Sequence, residues 1–257
     1  MSIKGILIAF QTICRKEINR FTRIWTQTLL PPVITTTLYF VIFGKFIGSQ
    51  VRSINGISYI TFIVPGLVMM TVITNSFSNV VSSFFGSKFQ RNIEELLVSP
   101  TPNWVIVSGF AAGGTLRGIL VGLMVIGVSV FFTRPPIYSL PIIFLFMVLT
   151  ALLFALGGLL NGIFARKFDD VSIVPTFVLT PLTYLGGIFY SIKDLPQFWQ
   201  NVSKLNPILY MIDGFRYGFF GFSDVNIYPS LGMLIVFIIL IGGIDMYCLN
   251  KGIGLRN

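Results

Sequence analysis

The 257-residue chain contains no histidine, which removes the commonest side-chain base near neutral pH and a common metal ligand. Charge is scarce too. Only 11% of residues are Asp, Glu, Lys or Arg, against about 25% in average soluble domains. Cysteine occurs twice, at Cys14 and Cys248, with no CxxC pair. Both fall on or near the side assigned below to the cytoplasm, where disulfides are uncommon, so they are read as reduced and structural. Arg15, Lys16, Glu17, Arg20 and Arg23 interrupt any leader-like apolar stretch, so no cleavable signal is expected. There is no linker, no low-complexity tract and no convincing internal repeat. One domain over residues 1–257 is the economical reading.

What the chain has in abundance is apolar surface. Hydrophobic residues make up 54% of it, and mean hydropathy is +0.85. A spanning helix needs about 20 predominantly apolar residues. Six runs qualify: Leu29 to Phe46, Tyr59 to Phe85, Trp104 to Phe132, Leu140 to Phe164, Val171 to Phe189 and Pro229 to Leu249. Long unbroken runs argue against a β-barrel, whose strands are short and alternate. The expected fold is all-α, a polytopic membrane protein with six transmembrane helices.

Three segments do not span. Residues 1–25 place Ile3, Ile6, Leu7, Phe10, Ile13, Cys14, Ile18 and Phe21 at helical spacing, with basic residues opposite. This predicts an amphipathic interface helix with its basic face toward lipid headgroups, either a plain anchor or also a dock for a cytosolic partner. Residues 87–102, SKFQRNIEELLVSPTP, form a polar island between two spans and predict a short helix held by something outside the bilayer. Residues 190–222 are too polar to span and too aromatic for a free loop, which predicts short re-entrant helices.

Placing the amino terminus in the cytoplasm puts eleven of the 18 lysines and arginines on that side and six opposite, with Arg117 inside a span. Both termini and the polar island are then cytoplasmic, and residues 190–222 lie outside. The net charge of +9 follows from this asymmetry and does not call for nucleic acid.

Two elements carry a resemblance. Arg91-Asn92-Ile93-Glu94-Glu95-Leu96-Leu97-Val98-Ser99-Pro100 runs on into Gly113-Gly114-Thr115-Leu116-Arg117-Gly118. Leu205-Asn206-Pro207-Ile208-Leu209-Tyr210 continues to Asp213 and Arg216. Together they resemble the ABC-2 type transporter permeases, most closely the YadH-like bacterial inner-membrane group, over nearly the whole chain. The resemblance implies a permease and not an enzyme. It would work as a homodimer with two copies of a cytosolic ABC ATPase and export an amphipathic or lipid-linked substrate. The chain itself has no G-x-x-x-x-G-K-[ST] loop to cradle phosphate, so the ATPase must be another polypeptide. No cofactor is called for.

Site residues follow from both arguments. Arg91, Glu94 and Glu95 are expected to couple to the ATPase; the alternative is i,i+3 and i,i+4 pairing on a solvated helix. Asp169 and Asp170 form a charged turn that belongs with that surface, since no third ligand completes a metal site. Arg117 lies about 20 Å into its span at 1.5 Å per residue. It meets either an anionic substrate headgroup or internal partners. Gly114, Gly118 and Gly122 make a small-residue packing face beside it. Asn206, Pro207, Tyr210, Asp213 and Arg216 form either an outer gate or an anchoring plug, with Asn206 the N-cap and Asp213 and Arg216 at pairing distance. An ion-coupled transporter wants titratable groups at mid-depth, and an intramembrane enzyme wants a nucleophile or paired acids. Neither set is present, while a channel or secondary transporter without an ATPase stays the alternative.

Overall fold

The computed structural model describes residues 2–48, 53–54 and 56–255. The loop residues Arg52 and Asn55 and the tail residue Arg256 lie outside them. The described residues are predominantly helical and contain no strand, only an isolated bridge between Ile54 and Ile57. Five helices are long and apolar enough to cross a membrane: Trp25–Gly44, Tyr59–Phe89, Asn103–Ser129, Leu140–Phe164 and Ile227–Lys251.

The first helix, α1 (Ile3–Arg23), starts where the Ser2 side chain accepts from Gly5 N, and ends with Arg20 and Arg23 in its last turn. That charge placement suits the helix dipole. Next come α2 (Trp25–Thr28) and α3 (Leu30–Tyr39), the latter running on into wider π turns over Phe40–Ile47. The break at Leu29 precedes Pro31 and Pro32, whose missing N–H groups cannot continue the ladder across it.

The centre of the bundle is α4 (Tyr59–Phe89), 31 residues that continue through Pro65. At 1.5 Å per residue it is about 46 Å long, more than a hydrocarbon layer of about 30 Å, so it is long enough to reach into the headgroup region. It packs against α6 (Asn103–Ser129) and α7 (Leu140–Phe164). Between α4 and α6 lies the short α5 (Asn92–Val98).

Two glycine faces set how closely α6 approaches its neighbours. A Cβ at Gly122 would come within 2.7 Å of the Val72 side chain, and one at Gly118 within 3.2 Å of the Val72 carbonyl oxygen. At Gly114 it would lie 2.9 Å from the Ser76 carbonyl oxygen, so the predicted small-residue face is the α4 contact. A second face, Gly109 and Gly113, seats Ile13 and Glu17 of α1.

The segment expected as a single span over Val171 to Phe189 is segmented instead. It comprises α8 (Phe168–Ile173), π turns over Val174–Leu179, and α9 (Thr180–Tyr184). Pro175 and Pro181 each remove a donor, which explains the widened turns. The helical run starts earlier than expected, ends five residues sooner, and is shorter than the five helices above.

Beyond it, a 3₁₀ turn (Ile192–Asp194), α10 (Gln197–Lys204) and α11 (Pro207–Phe220) fill the segment over residues 190–222. α11 packs on α7: its Gly214 faces Phe146 and its Gly218 faces Ile143. The last helix, α12 (Ile227–Lys251), closes against α7 and α11 and ends at Gly252, where φ is +66°.

Candidate functional site

The polar island yields a smaller helix than its charge pattern predicts. Residues 87–89 still belong to α4, Gln90 and Arg91 make the turn, and only Asn92–Val98 are helical. Arg91 is therefore outside the helix, at its N-cap, with φ +61° in the left-handed region. Glu94 and Glu95 fall in the first turn and not mid-run, where their charge favours the helix start. Both are exposed. Neither they nor Arg91 belongs to any ion pair formed among the described residues, so the i,i+3 and i,i+4 pairing alternative is not realised.

What fixes α5 is Ile93, which is buried and belongs to the same apolar cluster as Val105, Ile106, Ile163 and Leu249. The helix thus presents two acids outward from an apolar foot. Beneath it lies a cleft of about 1080 Å³, edged by Lys88, Arg91, Glu94, Asn103, Arg166 and Lys251.

The charged turn over residues 165–170 is tied to the same body. Lys88 Nζ donates to the carbonyl oxygens of Ile163 and Ala165, both at 2.8 Å. Phe168 packs edge-on against Phe85 and Phe89 at 5.0 and 4.8 Å between ring centres. Asp170 accepts from the backbone N–H groups of Arg166 (2.8 Å) and Lys167 (3.0 Å), and these hold its carboxyl below the ordinary carboxylate range. Asp169 is exposed. Thus Asp170 serves the turn, while Asp169 faces outward.

Arg117 has internal partners, and they are neutral. Its guanidinium donates to Thr28 O (3.1 Å), Asn75 Oδ1 (3.2 Å) and Asn79 Oδ1 (3.4 Å). Asn79 Oδ1 also accepts from Arg20 at 2.8 Å. Arg20 in turn lies 3.5 Å from Glu17, which accepts from Ser83 Oγ at 2.7 Å. This cluster joins α1, α2, α4 and α6. It narrows the expectation for the basic side of α1: Arg20 turns inward toward the fully buried Glu17, while Arg15, Lys16 and Arg23 remain exposed. No ion pair forms between Arg117 and Asp245 among the described residues.

The five residues grouped as a gate or plug form a compact clamp. The Asn206 side chain accepts from Ile208 N at 3.0 Å and donates to Leu182 O at 2.6 Å, with Pro207 opening α11. Tyr210 donates to Lys204 O at 2.8 Å. Asp213 accepts from Asp224 N and Val225 N at 3.1 and 2.7 Å, and lies 3.7 Å from Arg216. Arg216 donates to Gly187 O and stands 4.2 Å from the ring centre of Phe62 on α4. Asp213 and Arg216 are buried, so their first role is to fasten this cap to the bundle.

Sequence reasoning passed over Glu17, Arg20, Asn75, Asn79 and Lys88 as functional partners. One signal for Glu17 was present. Ile13, Glu17 and Phe21 recur every four residues, so the acid sits on the stripe that α1 buries. Asn75 and Asn79 are likewise four apart within an apolar run.

Comparison with known proteins agrees with this architecture. Residues 8–220 match the profile of the ABC-2 type transporter family. The inner membrane transport permease YadH of Escherichia coli (strain K12) is 58% identical over 250 residues, covering 97% of this chain and 98% of that protein. The same protein of Shigella flexneri shows the same identity and coverage. Nodulation protein J of Rhizobium leguminosarum bv. trifolii is 26% identical over 244 residues, covering 93% and 92%. With a family match across most of its length, near full-length similarity to a named transport permease and an apolar helical bundle to match, the chain belongs to the ABC-2 type transporter family as a permease and not an enzyme.

Proposed function

We propose that this chain is the membrane-spanning subunit of an ATP-driven exporter in a bacterial inner membrane. Two permease copies pair with two copies of a cytosolic ABC ATPase and move an amphipathic or lipid-linked substrate outward. The run from Val171 through the π turns and α9 serves as the sixth span, with Asp169 and Asp170 at its cytoplasmic mouth; both termini lie in the cytoplasm, and residues 190–222 dip into the outer leaflet. In that orientation α5 faces the ATPase.

The observation that carries this reading is the mounting of α5. Glu94 and Glu95 are exposed on a helix whose foot, Ile93, is buried. That helix sits between the ends of α4 and α6, and Lys88 links the α4 end to the α7 end. A push on α5 therefore reaches three long helices through rigid contacts. Arg91, Glu94, Glu95 and Asp169 form the coupling surface, and Asp170 holds its turn. On the far side Asn206, Pro207, Tyr210, Asp213 and Arg216 keep the outer gate seated on α4 through Phe62. The family setting supports the ATPase partner, and the inner-membrane location of YadH supports the location assigned here.

The test is affinity purification of the tagged full chain in mild detergent, as wild type and as Glu94→Arg/Glu95→Arg, with ATP hydrolysis assayed. A stoichiometric ATPase, lost in the variant while the chain still inserts and purifies, is the expected result. A chain that purifies intact without an ATPase would overturn the reading and leave a secondary transporter or channel.

A further inference from the structure

Between α3 and α4 lies an open groove of about 320 Å³. Thr35 and Tyr39 line one wall, and Thr74 and Ser78 line the other. Arg117 reaches into it from α6 and is the sole charged residue on its lining. Glu17 offsets the charge of Arg20 at 3.5 Å. Arg117 has three neutral oxygen acceptors and no carboxylate at ion-pair distance among the described residues. One cation is thus left over in the middle of an apolar helix, where charge is costly unless paired. A structural arginine needs its neutral acceptors; it does not need an open, hydroxyl-lined space beside it.

We propose that this groove seats the anionic headgroup of a membrane amphiphile, with a phosphate or carboxylate against Arg117 and hydroxyl-bearing parts against Thr35, Thr74 and Ser78. The volume is at the low end for small-ligand sites, about 300 Å³ upward. It holds a headgroup and leaves the apolar tail in the bilayer. As the seat of a transported substrate, the site rests on the exporter reading above. Binding itself does not require that reading.

The test uses the purified full chain, delipidated, with dioleoylphosphatidylglycerol and dioleoylphosphatidylcholine as probes in native mass spectrometry, without ATP or ATPase. The wild type is expected to prefer the anionic lipid by about tenfold or more, the worth of one charge-assisted hydrogen bond. Arg117→Gln should abolish the preference. Thr35→Leu/Thr74→Leu fills the groove without touching the Arg117 contacts. It should lower anionic-lipid binding to a similar degree while the melting temperature holds, and it decides the matter alone if Arg117→Gln fails to fold. Soluble glycerol 3-phosphate at the same concentration should not displace the lipid. No lipid preference in the wild type, or a preference that survives groove filling, overturns the proposal. Displacement by glycerol 3-phosphate overturns its amphiphile component. Because no ATPase is in the assay, failure here leaves the exporter reading standing, and a missing ATPase partner leaves this test valid.

Discussion

Lys88 and Ala165 are 77 residues apart in sequence and joined by a 2.8 Å hydrogen bond from ammonium to carbonyl. The same ammonium holds Ile163 O, so the last turn of α4 caps the last carbonyls of α7. Orphan carbonyls at a helix end need such partners, and a cation there also suits the dipole. The bond makes the turn over residues 165–170 and the root of α5 one mechanical unit.

Lys88→Met keeps the apolar stem and removes both bonds. Hydrogen bonds to a charged group contribute about 1.5–3 kcal/mol each at most, so a loss of about 2 kcal/mol is expected. Thermal unfolding of the purified chain measures it. ATPase association should weaken with the variant, because the mount of α5 loosens, while the exposed acids remain in place.

Glu17 and Arg20 differ in exposure, and their variants should differ with it. Glu17 is fully buried, whereas the Arg20 side chain is 32% exposed. Glu17→Ala removes the acceptor for Ser83 Oγ and the counter-ion of Arg20, which keeps its bonds to Asn79, at an expected cost of about 2–3 kcal/mol. Arg20→Ala should cost more, because it leaves the fully buried Glu17 carboxylate without its cation. A double-mutant cycle read by thermal unfolding isolates the coupling.

Gly118 tests the α4–α6 contact. A Cβ there collides with Ser76 Oγ and comes within 3.2 Å of Val72 O. Gly118→Ala should cost about 1–3 kcal/mol through overpacking, with partial recovery in Ser76→Ala. Gly127 in the same helix has nothing within 4 Å of such a Cβ, so Gly127→Ala serves as the neutral control.

Arg91 holds φ +61° without being glycine. Left-handed backbone costs an L-residue about 1–2 kcal/mol, so Arg91→Gly should raise the melting temperature and Arg91→Val should lower it. If the guanidinium also meets the ATPase, Arg91→Gly gains stability and loses association, two readouts moving in opposite directions.

Asp170 predicts a pH response in one turn. Its lowered carboxyl pKa arises first from the N–H groups of Arg166 and Lys167. A depressed acid contributes stability above the ordinary carboxylate range of about 4 and loses it as pH falls through its own lower value. Hydrogen exchange at the amides of residues 166 and 167 should show protection at neutral pH that fades on acidification. In Asp170→Asn that pH dependence should vanish.

The long helices were legible because they are long. Leu140–Phe164 matches its predicted limits, and the helices near residues 59, 103 and 227 deviate only at their ends, where frayed turns and caps decide. The fifth run was less legible, since hydropathy does not register the donors lost at Pro175 and Pro181. The polar island was legible as a feature but not in its extent. Its charge pattern fits a longer helix, and it is the αL turn at Arg91 and the extended Ser99 that shorten it.

Sequence alone determined the class of molecule: apolar runs of spanning length, too few titratable groups for an enzyme site, no phosphate loop, and two motifs that belong together. It also marked Gly114, Gly118 and Gly122 as a face of α6 fit for close packing, though not that α4 is the helix that meets it. Tertiary structure decided which charges meet. Glu17 and Arg20 lie more than fifty residues from Asn79 and Ser83 in the chain, and Arg117 lies 89 from Thr28. Periodicity reports the face a side chain occupies on its own helix. Which partner stands opposite depends on how the helices cross, and that is set by the packing of the whole bundle.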